Sequence, residues 1–205
     1  MTIVLNATTG ISTPPVTVLG NTSGSISIVA PAVAGTNTQT LVATTGTLAP
    51  IVSGTSVSAT GTSVNFTDIP SWVKRVTVMF SGVSTNGTAI KQIQLGSGSV
   101  VITGYLSGTS ILAGTVASQN VTTGIGLYSI AAADNLSGSI IISNITGNTW
   151  VASGTLAITG ATNISVVSSG SIALSGALDR IRIIGSATGN PADTFDAGTI
   201  NVLYE

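Results

Sequence analysis

Hydrophobic residues in this chain recur mostly at every second position, in short runs that Gly, Ser, Asn and Pro interrupt. That period is the alternation of a β-strand, whose successive side chains point to opposite faces, and no stretch keeps the helical period. The stretch 74–81 shows the rule most plainly, with Val76, Val78 and Phe80 on one face and Arg75, Thr77 and Met79 on the other. The stretch 179–184 repeats it, setting Ile181 and Ile183 against Arg180 and Arg182. Further strands are predicted over 63–67, 90–95, 100–106, 125–131, 138–143, 150–159, 164–167, 171–174 and 197–203. Turn signals such as Asn86-Gly87, Gly96-Ser97-Gly98, Asp134-Asn135, Gly147-Asn148 and Gly189-Asn190-Pro191 separate them. Many short strands without a helix predict an all-β fold, an antiparallel β-sandwich of jelly-roll-like character.

Residues 1–60 follow a different rule. Their apolar runs, among them 25–29 and 40–43, are strand-length but are punctuated by Pro14-Pro15, Pro31, Gly35, Gly46, Pro50 and Gly54. Five of the six prolines lie within the first 70 residues, and proline cannot donate to a sheet ladder, which confines it to edges, strand starts and bulges. The expectation is an extended N-terminal β arm over 1–60, satisfied by neighbouring chains or a docking partner, followed by a distal β-sandwich domain over 61–205. The turn Asp68-Ile69-Pro70-Ser71 marks the passage from arm to domain.

Composition narrows the functional classes. Charged residues make up 5% of the chain and the net charge is -1, so no basic field exists to hold nucleic acid. A mean hydropathy of +0.60 is the opposite of the disorder signature, so the chain is expected to fold. A surface with so little charge offers weak protection against association, which predicts an obligate oligomer or a part of a larger assembly. With no Cys and no His, thiolate and imidazole chemistry, disulfides and His-ligated zinc are excluded. Residues 1–6 lack the basic and apolar regions of a secretory signal, and Ser, Thr and Gly break every run before it reaches membrane-spanning length, so membrane insertion is not expected.

The candidate site residues are few. Lys74, Arg75, Arg180 and Arg182 gather in two strands, where semi-buried charges need partners; Asp68, Asp179 and Glu205 are the expected structural charge pairs, with a patch for an anionic sugar as the alternative. Trp72, Tyr105, Tyr128 and Trp150 are candidate stacking platforms for a glycan, although aromatics at strand ends also serve as core anchors. Asn190, Asp193 and Asp196 offer oxygen ligands, but their spacing misses the EF-hand loop, so neither a metal nor a cofactor is expected. A glycosidase needs a carboxylate pair, yet Asp68, Asp134, Asp179, Asp193, Asp196 and Glu205 lie in turns, beside arginine or at the end of the sequence, so an enzyme is not expected.

The run Phe66-Thr67-Asp68-Ile69-Pro70-Ser71-Trp72-Val73-Lys74-Arg75-Val76-Thr77-Val78-Met79-Phe80, continued by Gly82-Val83-Ser84-Thr85-Asn86-Gly87-Thr88, resembles the opening of the C-terminal β domain of tailed-bacteriophage tail-fibre and related virion proteins. Leu178-Asp179-Arg180-Ile181-Arg182-Ile183 and the stretch from Asp193 to Glu205 resemble the end of the same domains. The resemblance implies a β-rich homotrimer on the virion, tail or capsid surface, attached to other virion proteins by its N-terminal portion, with a distal domain that contacts the host. A chain of 205 residues leaves almost no shaft, which favours a short tail fibre or fibre tip binding a host surface polysaccharide. The alternatives are a capsid decoration or head-fibre protein, a polysaccharide depolymerase spike and a bacterial adhesin.

Overall fold

The computed structural model describes residues 16–19, 25–28, 50–113, 117–128, 131–132, 134–160, 163–186 and 188–205. Two compact units divide the chain, 1–47 and 48–205. Within the first, β1 (Val16–Leu19) and β2 (Ser25–Ile28) form an antiparallel pair in which Val16 faces Ile28 and Leu19 faces Ser25. The expected strand at 40–43 and the docking role of the arm lie outside the described residues.

The second unit begins earlier than the expected boundary at 61. Its first strands, β3 (Val52–Ser53) and β4 (Val57–Ser58), pair with β16 (Phe195–Tyr204), and Ala59 is buried in the core. Two-residue edge strands between Pro50, Gly54 and Gly61 are too short to show a period in the sequence.

The remaining strands are β5 (Val64–Phe66), β6 (Arg75–Thr85), β7 (Lys91–Ser97), β8 (Ser99–Val100), β9 (Leu106–Leu112), β10 (Ala117–Val121), β11 (Ile125–Leu127), β12 (Asn135–Thr146), β13 (Thr149–Thr159), β14 (Ile164–Ala173) and β15 (Arg180–Gly185). They form a large antiparallel sheet in the order β10-β9-β14-β13-β12-β6-β16-β3, with β4 also on β16, and a small one in the order β11-β7-β15-β5, with β8 on β7. Pairing is nested: β6 with β16, β7 with β15, and β9 with β14, alternating between the sheets. Nested pairs of this kind are a long hairpin rolled over itself, the logic of a jelly roll, here with the β12–β13 hairpin inserted between β14 and β6. No helix occurs among the described residues.

One hydrophobic core lies between the sheets. Val76, Val78 and Phe80 from β6 and Ile140 and Ile142 from β12 meet Ile93, Leu95, Ile181 and Ile183 from the small sheet, all buried. At about 1.5–3 kcal/mol for each fully buried large aliphatic chain, this interlayer is the main favourable term of the fold. The predicted alternation in 74–81 and 179–184 therefore holds, but in β6 it changes phase. Gly82, at φ 62, sits in a bulge where two β6 residues oppose Ser137, whose hydroxyl accepts the Gly82 N–H. Beyond it Val83 and Thr85 turn inward in place of even-numbered residues. Gly198, at φ 91, lies against this bulge so closely that an added Cβ would stand 2.4 Å from the Gly82 carbonyl oxygen.

Several strands differ from expectation, among them β11, which ends at Leu127 where the sequence predicts a strand to 131. Residues 101–105 are irregular and β9 starts at Leu106; β10 was not predicted; and 164–167 with 171–174 are parts of one strand, β14. On the buried face of β9 and the middle of β14 small hydroxyls sit among the apolar Ile111, Val166 and Ile172. Thr109 Oγ1 and Ser168 Oγ are 3.0 Å apart, and Ser107 Oγ donates to the Ser169 carbonyl.

The outer face of the large sheet is almost free of charge, since β9, β12, β13 and β14 contain no charged residue. One row across it reads Leu106, Ser171, Val151, Ser143, Arg75; the next reads Gly108, Ser169, Ser153, Ile141, Thr77, Leu203. Leu106, Leu112, Ile141, Ile145 and Val167 are exposed.

Tyr105 locks the irregular segment onto β7. Its hydroxyl accepts the Leu95 N–H at 2.6 Å and lies within donating reach of the Leu95 and Val101 carbonyls at 3.3 and 3.2 Å. Burial pushes its pKa from 10.0 up to about 12. Tyr105→Phe withdraws the acceptor from a buried amide and should cost about 1–3 kcal/mol in denaturant melts. Because the unfolded chain ionises this phenol first, wild-type stability falls as pH rises from 10.0 to about 12, and the variant should lack that part of the fall.

Candidate functional site

The small sheet is buried on both faces along β7. Ile93 and Leu95 point into the core, so Gln92 and Gln94, which alternate with them, face outward; yet both are buried, because the connections before β11 and after β15 fold over them. Buried amides need partners, and the nitrogen and the oxygen of each have at least one. Gln94 Nε2 donates to the Thr123 and Gly189 carbonyls at 2.8 and 2.9 Å, while its Oε1 accepts from Arg182 Nε at 2.8 Å. Gln92 Nε2 donates to the Ser186 carbonyl at 2.7 Å, and its Oε1 accepts from Thr123 Oγ1 at 2.9 Å. Ser186 Oγ in turn accepts the N–H groups of Thr188 and Gly189.

This network shapes a cleft of about 640 Å³ at one end of the sandwich. Its walls are Gly87–Ile90 from the β6–β7 connection, Gln119–Thr123 from β10 and the turn after it, and Ser186 and Asp193 from the β15–β16 connection, with Gln92 at the base. Asp193 Oδ2 accepts the Ala89 N–H at 2.8 Å, and the Asp193 N–H donates to the Gly185 carbonyl at 3.2 Å. Gly87 permits this approach: a Cβ there would lie 2.3 Å from Asp193 Oδ1. Alongside, Asn86 and Thr194 clamp the two connections, Asn86 N–H to the Thr194 carbonyl and Thr194 N–H to Asn86 Oδ1, both at 2.9 Å.

A second hollow, of about 350 Å³, adjoins the first. Asn120, Val121 and Thr122 line both, and the second adds Tyr105, Leu106 and Ser107.

Lys91 lies on the inner face of β7, in phase with Ile93 and Leu95, and is buried. Burial pulls its ammonium below the usual lysine range, while the charges of Asp134, Asp193 and Asp196 pull it back up. It is the fifth cation, and neither the core strands nor the charge pairs read from the sequence pointed to it.

Of the four candidate aromatic platforms, none lines the larger cleft. Tyr105 and Trp150 are 1% and 3% exposed, so both rings are core anchors and neither offers a stacking face. The Trp150 Nε1–H has no hydrogen-bond partner among the described residues, a cost that the burial of the large ring has to outweigh. Tyr128 is half-buried against the core. Trp72 is 41% exposed, but it precedes the start of β6 while the cleft adjoins its end, and 11 strand residues at roughly 3.3 Å each set the two about 35 Å apart.

The charged residues divide as follows. Arg75 pairs with Glu205, and Arg180 with Asp179 at 2.8 Å, which holds the Asp179 carboxyl below the usual range. Asp68 takes the Thr67 hydroxyl at 2.9 Å in a left-handed turn, at φ 61, and its charge reaches Arg180. Lys74 is exposed and in no ion pair among the described residues. Arg182 departs from the charge-pair expectation, since its guanidinium is spent on the Gln94 amide and the Gly189 carbonyl rather than on a carboxylate. Gln94 stands opposite it in the β7–β15 register, so a neutral acceptor is nearest at hand. Asp193, read in the sequence as a weak cation ligand, lies in the cleft wall instead, and no cluster of three potential metal ligands of the acidic, His or Cys type occurs among the described residues.

No family model, curated protein or solved structure matches this chain.

Gln94→Ala should strip partners from Arg182 and from two carbonyls at once. We expect a loss of about 3 kcal/mol in stability, together with faster amide hydrogen exchange in 188–190 and 122–124 than in the β12–β13 hairpin.

Proposed function

We propose that the chain is a non-enzymatic structural protein of a bacteriophage virion, a short tail fibre or fibre tip, whose β-sandwich binds a host surface glycan. The observation that carries the glycan reading is the cleft: amides, hydroxyls and one carboxylate converge in a concavity of the size of small-molecule sites, about 300–1,000 Å³. Sugars present hydroxyls that such groups match in pairs. The absence of catalysis is supported by where the acids go. Asp179 is held by Arg180, Glu205 by Arg75, Asp196 accepts from Ser84, Asp68 accepts from Thr67 in its turn outside the cleft, and Asp134 is buried. That leaves Asp193 as the acid in the cleft wall, whereas glycoside hydrolysis uses two.

The virion reading rests on the resemblance at 64–88 and 178–205 and on the surface. A wide sheet face almost without charge can approach copies of itself with little repulsion to overcome, in keeping with a homotrimer, and leaves Leu112, Ile141 and Val167 for such contacts to cover.

Two measurements test this. An array of bacterial surface polysaccharides probed with the full chain should show saturable binding without cleavage of the bound polymer; binding to purified capsids with no glycan bound would instead favour a decoration protein, and released oligosaccharide a depolymerase. Native mass spectrometry at micromolar concentration should find a trimer, and the paired change Ile141→Lys with Val167→Lys should shift it toward monomer. A wild-type monomer would overturn the assembly.

A further inference from the structure

We infer that the two adjoining hollows are successive subsites for a neutral oligosaccharide, with Asp193 and Asn120 as the residues that select it. This rests on the glycan-binding reading above and assigns the site, its polarity and the class of sugar.

The polarity follows from what lines the larger hollow. Among the described residues Asp193 is its one charged wall residue; Gln92, Gln119, Asn120, Thr122, Thr123 and Thr88 are neutral. No Lys or Arg is among the wall residues, and Lys91, the nearest cation in the sequence, is buried on the opposite face of β7. An anionic sugar such as a uronate or sialate would therefore bring a second negative charge beside Asp193 with no cation in the wall to bond it, and the charge of buried Lys91 is already shared among Asp134, Asp193 and Asp196. A neutral sugar meets no such barrier. The Asp193 carboxylate is fixed through Oδ2 by the Ala89 N–H, and its Oδ1 accepts no hydrogen bond among the described residues, so acceptor capacity remains for a sugar hydroxyl. Such charge-assisted bonds are the stronger kind. Gln119 and Asn120 are exposed and carry both donor and acceptor on one amide, matching a hydroxyl that does the same.

The length follows from the shared rim. Asn120 and Thr122 border both hollows, so a sugar held in the first continues into the second without leaving the surface. The second hollow is of another character: Leu106, 75% exposed, supplies an apolar wall suited to the C–H face of a pyranose ring. The ligand is thus at least a disaccharide, hydrogen-bonded at Asp193 and lying on Leu106 beyond.

Binding of the full chain should be measured by titration and by saturation-transfer NMR against two sets of probes. The neutral set is tetramers of glucose, galactose, mannose and N-acetylglucosamine; the anionic set is tetragalacturonate and a sialic acid tetramer. Thermal melts serve as the folding control. We expect at least one neutral tetramer to bind and neither anionic probe to do so. Asp193→Asn, which keeps an acceptor for the Ala89 N–H, should weaken the neutral tetramer about tenfold and lessen the discrimination against tetragalacturonate. Asn120→Ala should weaken it about fivefold. Leu106→Ala should weaken the tetramer while leaving the corresponding monosaccharide unchanged. Preferred binding of an anionic probe, or a neutral tetramer indifferent to both Asp193→Asn and Asn120→Ala, would overturn the assignment while leaving glycan binding intact. No binding to any probe, nor to the polysaccharide array, would overturn the glycan reading and this inference with it.

Discussion

Strand β7 has no face turned to water. Its inward side chains close the core, and its outward ones lie beneath two connections, so every polar group it carries must find a partner within the protein. Gln92 and Gln94 meet that demand by bonding backbone carbonyls of the covering segments, and they hold those segments in place. The walls of the cleft are thus set from below, by Gln92 at its base and by Gln94, which lies outside its lining. Arg182 joins the same network, and burial pulls its pKa below the usual guanidinium value, in keeping with a cation retained for its geometry.

The two sheets divide the work. In the small sheet, paired polar groups on the outer face carry loops and a cleft. In the large sheet, the outer face is left smooth: small hydroxyls and aliphatics in register, with one ion pair at its margin. Most antiparallel sheets turn a strongly polar face to solvent. A chain with so few charges must place them where geometry needs them, and here that is at the ends of the sandwich and under the loops.

Much of the fold was legible from alternation. Val76, Val78, Phe80, Ile181 and Ile183 announce core strands because large β-formers alternate there with polar residues. The signal fails where the core is built from small polar groups. Ser107, Thr109 and Ser168 occupy inward positions and satisfy one another and the adjoining carbonyls, so β9 and the middle of β14 read in the sequence as breaks. The site was less legible still. Gln92-x-Gln94 within an apolar strand was the available signal, an alternating pair of long amides at strand positions. Their partners, Thr123, Ser186 and Gly189, lie 29 to 95 residues away in sequence, and only the fold brings them together. Aromatic residues, few in this chain, drew attention to Tyr105 and Trp150, which their bulk had sent to the interior.

The nested order of the strands has a consequence for how the molecule comes into being. β6 lies inside the large sheet, and one of its neighbours is β16, whose Tyr204 pairs with Val76 from the far end of the domain. During synthesis, therefore, one edge of β6 waits unpaired until nearly all of the domain has emerged, while the local β12–β13 hairpin can close early. Throughout that interval the backbone edge of β6 and its apolar face, Val76, Val78 and Phe80, lack the partner that β16 later supplies. For this architecture, timely arrival of the last strand matters as much as the stability of the finished sandwich.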